Sequence, residues 1–266
     1  SSLSSAPSSR TVASAERKPD PLARFGPPAL LLLMFVALVA VLPPGFELPQ
    51  NDDWAYAHTV RVWLDSGRME PPLWNDPTLV GQVVWGAAFA KLFGFGYGAL
   101  RVSTLLLAAF GALSMYALVR ECGTSRTRAL AGGVLRFWNP LVLPLAYSFN
   151  TDAPYLALAT LATWLVVAGI RRRSFGWLAL AGLAAAAATS VRQVGIFIPV
   201  AASLWMLRKP SGMPRAPLAL VLLLPSAVVL GAYELWLRQT TGVGWLEGAS
   251  NLAPEFRGRF LLPGWD

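Results

Sequence analysis

Apolar residues fall in blocks near 27–43, 78–95, 99–119, 128–147, 153–170, 175–190, 194–207 and 217–237, separated by short polar or basic connections. A helix rises about 1.5 Å per residue, so a hydrocarbon core of about 30 Å takes about 20 residues to cross. Blocks of this length and spacing predict an all-α, polytopic membrane bundle. The block at 78–95 stands apart, because it carries Gln82, Lys91 and several glycines. Charge decides its place. If it lies along the surface and the other blocks cross, one side receives Arg10, Arg17, Lys18, Arg24, Arg120, Arg126, Arg128, Arg171, Arg172, Arg173, Arg208, Lys209 and Arg215. Only Glu16, Asp20 and Glu121 oppose them there, which is the positive-inside pattern of a cytoplasmic face. If 78–95 crossed, the three basic loops would face outward. The expectation is about seven transmembrane helices plus two interfacial helices, with the C-terminus outside.

The chain divides accordingly. Residues 1–26 read as a disordered cytoplasmic tail, rich in Ser, Pro and Ala, of a processed or excerpted product that starts with Ser. Residues 27–240 form the membrane module, whose first block is read as a retained span and not a cleaved signal. Residues 44–98 are an extracytoplasmic loop within it, and 241–266 an extracytoplasmic C-terminal segment. In the loop, Asp53–Ser66 predicts an amphipathic helix with Tyr56, Val60 and Trp63 as its apolar stripe, Asn51 or Asp52 as cap and Gly67 as its end. Pro71, Pro72 and Pro77 break the chain before the second surface segment. Two such helices make a platform over the outer ends of the spans.

Composition narrows the chemistry. Of 266 residues, 55% are apolar and 14% charged, with a net charge of +8; mean hydropathy is +0.50. Bilayer orientation accounts for the basic excess, so nucleic acid is not expected as a partner. One cysteine, Cys122, and one histidine, His58, exclude a disulfide framework, a cysteine-rich zinc site and a multi-histidine centre. Any divalent cation would be held by carboxylates, and no other cofactor is implied.

With this topology the polar residues that are costly near a bilayer gather on the outer side: Asp52 and Asp53 before the first surface helix, Arg101 at the second span, Tyr147, Asn150 and Asp152 in YSFNTDAPY, and Arg192 and Gln193 in TSVRQVG. Ionisable groups at membrane depth commonly mark a site. Each also has a plainer reading: Asp52, Asp53 and Asp152 as helix caps, Arg101 and Arg192 as side chains snorkelling to headgroups, His58 as a surface residue. Arg136 lies within a span and is assigned no function. The glycines of FGFGYGAL follow no strand and read as a turn, not a dinucleotide loop.

The order of NDDWAYAHTVRVWLDSG, the Pro-Pro segment leading to LFGFGYGALRVST, NTDAPYLAL and TSVRQVGI resembles the C-type glycosyltransferases, specifically the family 39 and aminoarabinose-transferase-like group. The resemblance covers about residues 27–240 and implies an integral enzyme of a bacterial plasma membrane, its active site extracytoplasmic. Such an enzyme moves a sugar from a polyprenyl-phosphate carrier to a glycan, lipid or protein acceptor. By the same resemblance Asp52 is the catalytic carboxylate, with Asp53 beside it where Glu is more usual. Arg101 and Arg192 are then expected to bind the donor phosphate. Asp152, Asn150, Gln193, Trp54, Trp74 and Tyr147 are expected to hold sugar or acceptor. One carboxylate acting by direct displacement implies inversion. The chain departs from the family in two ways: members usually run to about twice this length, and Met69-Glu70 stands where a basic residue often precedes Pro71-Pro72. A transporter or flippase, or a non-catalytic homologue that binds the lipid carrier, are the competing readings; no internal repeat of the transporter kind is present in the chain.

Overall fold

The computed structural model describes residues 21–50, 52–69, 80–208 and 215–242. Among these the regular elements are all helical: α1 (Pro21–Val41), α2 (Asp53–Ser66), α3 (Val80–Phe93), α4 (Tyr97–Glu121), α5 (Arg126–Phe137), α6 (Val142–Ala146), α7 (Asp152–Arg172), α8 (Phe175–Val191), a 3-10 turn (Gln193–Ile196), α9 (Phe197–Arg208) and α10 (Arg215–Thr241). Residues 21–26, expected in the tail, belong to α1. The remainder of that tail, Trp74, the Pro71-Pro72 pair and the segment 243–266 lie outside the described residues.

Among the described residues, three helices are long and apolar enough to cross a membrane: Tyr97–Glu121, Asp152–Arg172 and Ala216–Thr240. The other apolar helices, Phe25–Val41, Val80–Phe93, Phe175–Val191 and Gln193–Arg208, are shorter, so helix length alone does not reach seven crossings. The expected span at 128–147 is two helices. Pro140 supplies no N–H and its ring disfavours helical geometry at Asn139. The Asn139 side chain then accepts the Leu141 N–H at 2.8 Å, and the chain turns before α6 begins. An apolar count passes over this break because only two residues interrupt the run.

Packing relies on small side chains. In a bilayer, helix association draws on van der Waals contact, because lipid is as apolar as leucine. α7 lies along α4 and α8, and α8 along α10. Ala162, Leu178, Ala181, Ala185, Leu218 and Leu222 form the core between them. A Cβ on Gly182 would sit 2.4 Å from the Val221 carbonyl oxygen of α10, so the two backbones are in direct contact. Beside this crossing the buried Thr189 hydroxyl donates to Ser226 at 3.2 Å.

α2 forms over the predicted residues and ends as predicted, with Gly67 left-handed at φ 73° and its N–H on Trp63 O at 3.0 Å. Tyr56 and Val60 are buried against Val83, Ala87, Leu100 and Phe149, with Trp63 packed at the edge. α3 in turn presses on the bundle. A Cβ on Gly81 would meet the Ser190 hydroxyl at 2.3 Å, and one on Gly86 the Phe149 ring at 2.3 Å. The platform therefore rests on the first turn of α4, the segment before α7 and the end of α8.

Gly182→Ala is expected to force α8 and α10 apart at a cost of about 1–3 kcal/mol. Gly231→Ala in α10, where nothing lies within 4 Å of the added carbon, is expected to be neutral or slightly stabilising. Thermal unfolding of the two variants in one detergent compares them directly.

Candidate active site

The connection from α1 to α2 wraps the first turn of α4. Gly96 precedes that helix and offers no side chain to its free amides. Glu47 reaches across instead, its carboxylate accepting Tyr97 N–H at 2.8 Å and Gly98 N–H at 3.0 Å. An acidic group suits a helix N-terminus, where the peptide dipoles leave partial positive charge.

One turn further on, Arg101 is fully buried. Its guanidinium donates to the carbonyls of Phe46 and Leu48 and lies 3.8 Å from the centre of the Phe46 ring. It also donates to Asp53 Oδ2 at 3.3 Å. Asp53, equally buried, accepts the Gln50 N–H on Oδ1 at 2.6 Å and a backbone hydrogen bond from Phe149. Burial pushes the Asp53 carboxyl above its ordinary range, against the lowering pull of the Gln50 amide and of Arg101. Breaking such a pair is costly, whereas its net contribution to stability is small. Its effect is positional: the start of α2 is pinned to α4.

The pairing redistributes the expected roles. Arg101 is enclosed by protein and presents no guanidinium face to a lipid phosphate. Asp53 is a structural anchor and not an open carboxylate. Asp52 is the exposed member of the doublet; it occupies the N-cap position of α2 without making a side-chain capping bond. The anchored residue thus holds its neighbour at the surface. Trp54, next along, is 45% exposed.

A second cluster forms at the start of α7 and the end of α8. Asn150 is buried, and its side-chain oxygen accepts the Asp152 N–H at 3.1 Å, so Asn150 supplies the local turn that opens α7. Asp152 is left to pair with Arg192, each side chain about one-third exposed. Tyr155, one helical turn beyond Asp152, lies within reach of the Arg192 charge; the sequence reading missed it, although its i, i+3 spacing from Asp152 places both on one face. Gln193 opens the 3-10 turn beside Arg192, half-buried. Tyr147 donates its hydroxyl to Leu42 O at 2.9 Å and ties this turn to the end of α1. His58 is exposed.

The two clusters occupy one end of the bundle. Phe149 links them, its ring packed beneath α3 and its backbone on Asp53, while Asn150 and Asp152 follow it directly. At the end of α8, reaching Ser190 two residues before Arg192, an apolar cavity of about 420 Å³ opens between α2, α3, α8 and α10, lined by Trp63, Met69, Val80, Ser190, Tyr233 and Trp236 among others. That volume lies within the range of small-ligand sites. Among the described residues no three carboxylate, imidazole or thiol groups converge on a metal position.

Residues 83–233, more than half of the chain, match the family described as dolichyl-phosphate-mannose-protein mannosyltransferase. The chain belongs to that family. Its members are membrane glycosyltransferases of the C type. The matched stretch includes Arg101, Asn150, Asp152, Arg192, Gln193, the α8 wall of the cavity and its α10 wall as far as Tyr233, while the acidic doublet lies before it. No curated protein and no solved structure matches the chain.

Asp53→Ala is expected to cost about 3–5 kcal/mol, because it strands a buried guanidinium. Asp53→Ala combined with Arg101→Met is expected to recover part of the loss, since no uncompensated charge remains. Thermal unfolding of both single variants and the double variant measures this coupling.

Proposed function

We propose that the chain transfers a sugar, mannose being the first candidate, from a polyprenyl-phosphate carrier to a hydroxyl acceptor at the extracytoplasmic face. The single observation that carries this reading is the division within the acidic doublet. Asp53 is locked in a buried pair, and Asp52 is left exposed at the tip of a fixed helix. A carboxylate presented on a rigid element, with no capping bond of its own, suits a general base.

In the reaction the acceptor oxygen attacks the anomeric carbon and gives its proton to Asp52. The bond from that carbon to the carrier phosphate breaks, and its electron pair leaves on the phosphate oxygen. A single displacement inverts the anomeric centre. Arg192 faces the leaving phosphate, where a fixed guanidinium binds developing charge in bidentate fashion. In the free chain Asp152 occupies that guanidinium, and the incoming phosphate takes over the contact. The apolar cavity at the end of α8 receives the start of the prenyl chain, placing lipid and phosphate together. Arg101 acts through Asp53 as a positioning residue. Gln193, Trp54 and Tyr155 are assigned to the sugar or acceptor. A divalent cation, if one takes part, draws on Asp52 or Asp152; no step above depends on it.

Purified protein in nanodiscs, given a panel of radiolabelled polyprenyl-phosphate sugars, tests the reading by scoring transfer and carrier release. Asp52→Asn is expected to lower transfer about 10²–10⁴-fold with unchanged thermal unfolding, and normal turnover by this variant overturns the assignment. Asp152→Asn is expected to tighten binding of the sugar-free carrier phosphate by up to about five-fold, the equivalent of releasing a part-exposed ion pair. Binding is read by fluorescence titration, separately from turnover.

A further inference from the structure

The end of the bundle opposite the candidate site is rich in arginine. α4 carries Arg101 near one end and Glu121 at the other; at about 1.5 Å per residue these lie about 30 Å apart, the thickness of a hydrocarbon core. Glu121 accepts Arg172 Nη2 at 2.9 Å and lies 3.9 Å from Arg171 Nε, so the C-terminal ends of α4 and α7 meet there. α5 starts from the same corner with Arg126 and Arg128, and Arg173 follows α7 directly. All five arginines are exposed. Glu121 is already engaged by two of them. Arg126, Arg128 and Arg173 make no ion pair among the described residues.

The surroundings fit a headgroup layer. The Arg172 guanidinium stacks 4.6 Å from the Trp177 ring, and Phe175 stands 53% exposed on the same connection. Aromatic rings flanked by cations mark the level where hydrocarbon gives way to headgroups. Three unpaired guanidinium groups at that depth leave a concentrated positive charge, and guanidinium is the side chain best suited to hold a phosphate through two parallel hydrogen bonds.

We propose that the α4–α5 and α7–α8 turns form a binding site for anionic phospholipid headgroups in the leaflet opposite the candidate active site, with Arg126, Arg128 and Arg173 as the phosphate ligands. The site stands apart from the glycosyl-transfer reading and holds whether or not the chain is active.

The exposed Cys122, the single cysteine of the sequence, sits in the α4–α5 turn and takes a fluorophore. The labelled protein in mixed micelles is titrated with phosphatidylglycerol, with phosphatidylcholine and with inorganic phosphate. Phosphatidylglycerol is expected to give a saturable, salt-sensitive change that phosphatidylcholine and inorganic phosphate do not. The triple variant Arg126→Gln, Arg128→Gln, Arg173→Gln is expected to lose about 100-fold in apparent affinity, and each single variant about five-fold. The single variants serve if the triple variant unfolds, and Arg61→Gln on α2 is expected to bind as wild type. Equal responses to both lipids, full retention of phosphatidylglycerol binding by the variants, or saturation by inorganic phosphate alone overturns the site.

Discussion

A guanidinium withdrawn from water at the end of a membrane helix needs partners for its charge, and the manner in which Arg101 is held organises the rest of the molecule. Two loop carbonyls, an aromatic ring and the Asp53 carboxylate surround it. These partners come from the connection after α1 and from the first turn of α2, so satisfying one side chain draws both onto α4. Glu47 closes the same wrap from the other side by capping α4. A buried pair of this kind adds little net stability, but misplacing either member is expensive. It therefore selects one arrangement of the loop. The exposed position of Asp52 follows from that selection, because the residue beside it cannot move.

The second determinant is close backbone approach. Gly81 and Gly86 let α3 settle on Ser190 and Phe149, and Gly182 lets α8 touch α10. These contacts set the walls of the apolar cavity, since Val80, Ser190 and Trp236 line it from three of the helices so joined. The cavity and the Asp152–Arg192 pair consequently share the end of α8. A polar anchor and an apolar pocket in immediate succession match the two halves of a lipid-linked phosphate, which is why the proposed donor is lipid-linked and not a soluble sugar nucleotide.

The two ends of the bundle differ in their charge logic. At the site end each arginine discussed has a carboxylate partner, Asp53 for Arg101 and Asp152 for Arg192. At the far end Glu121 engages two of five exposed arginines, and the other three make no ion pair among the described residues. Charges placed near a membrane are costly unless something compensates them. Compensation is internal at one end, and the proposed lipid phosphate supplies it at the other.

Much of this was legible in the chain before any coordinates. Long apolar blocks required a helical membrane protein, because only internally bonded backbone survives in hydrocarbon. The spacing of Tyr56, Val60 and Trp63 and the glycine at 67 located α2 and its end, since amphipathic period and left-handed caps are local properties. The motifs NTDAPYLAL and TSVRQVGI pointed to the family that the profile match supports. The break at Asn139-Pro140 was present in the sequence too, but a count of apolar residues averages over it. What the sequence could not determine was partnership. Whether Arg101 faces lipid or Asp53, and whether Asp152 meets Arg192, depends on which side chains meet after residues 48 and 40 positions apart have been folded together. Burial is decided by those meetings, so the sequence identified the charged groups and the tertiary structure decided which of them remain free to act.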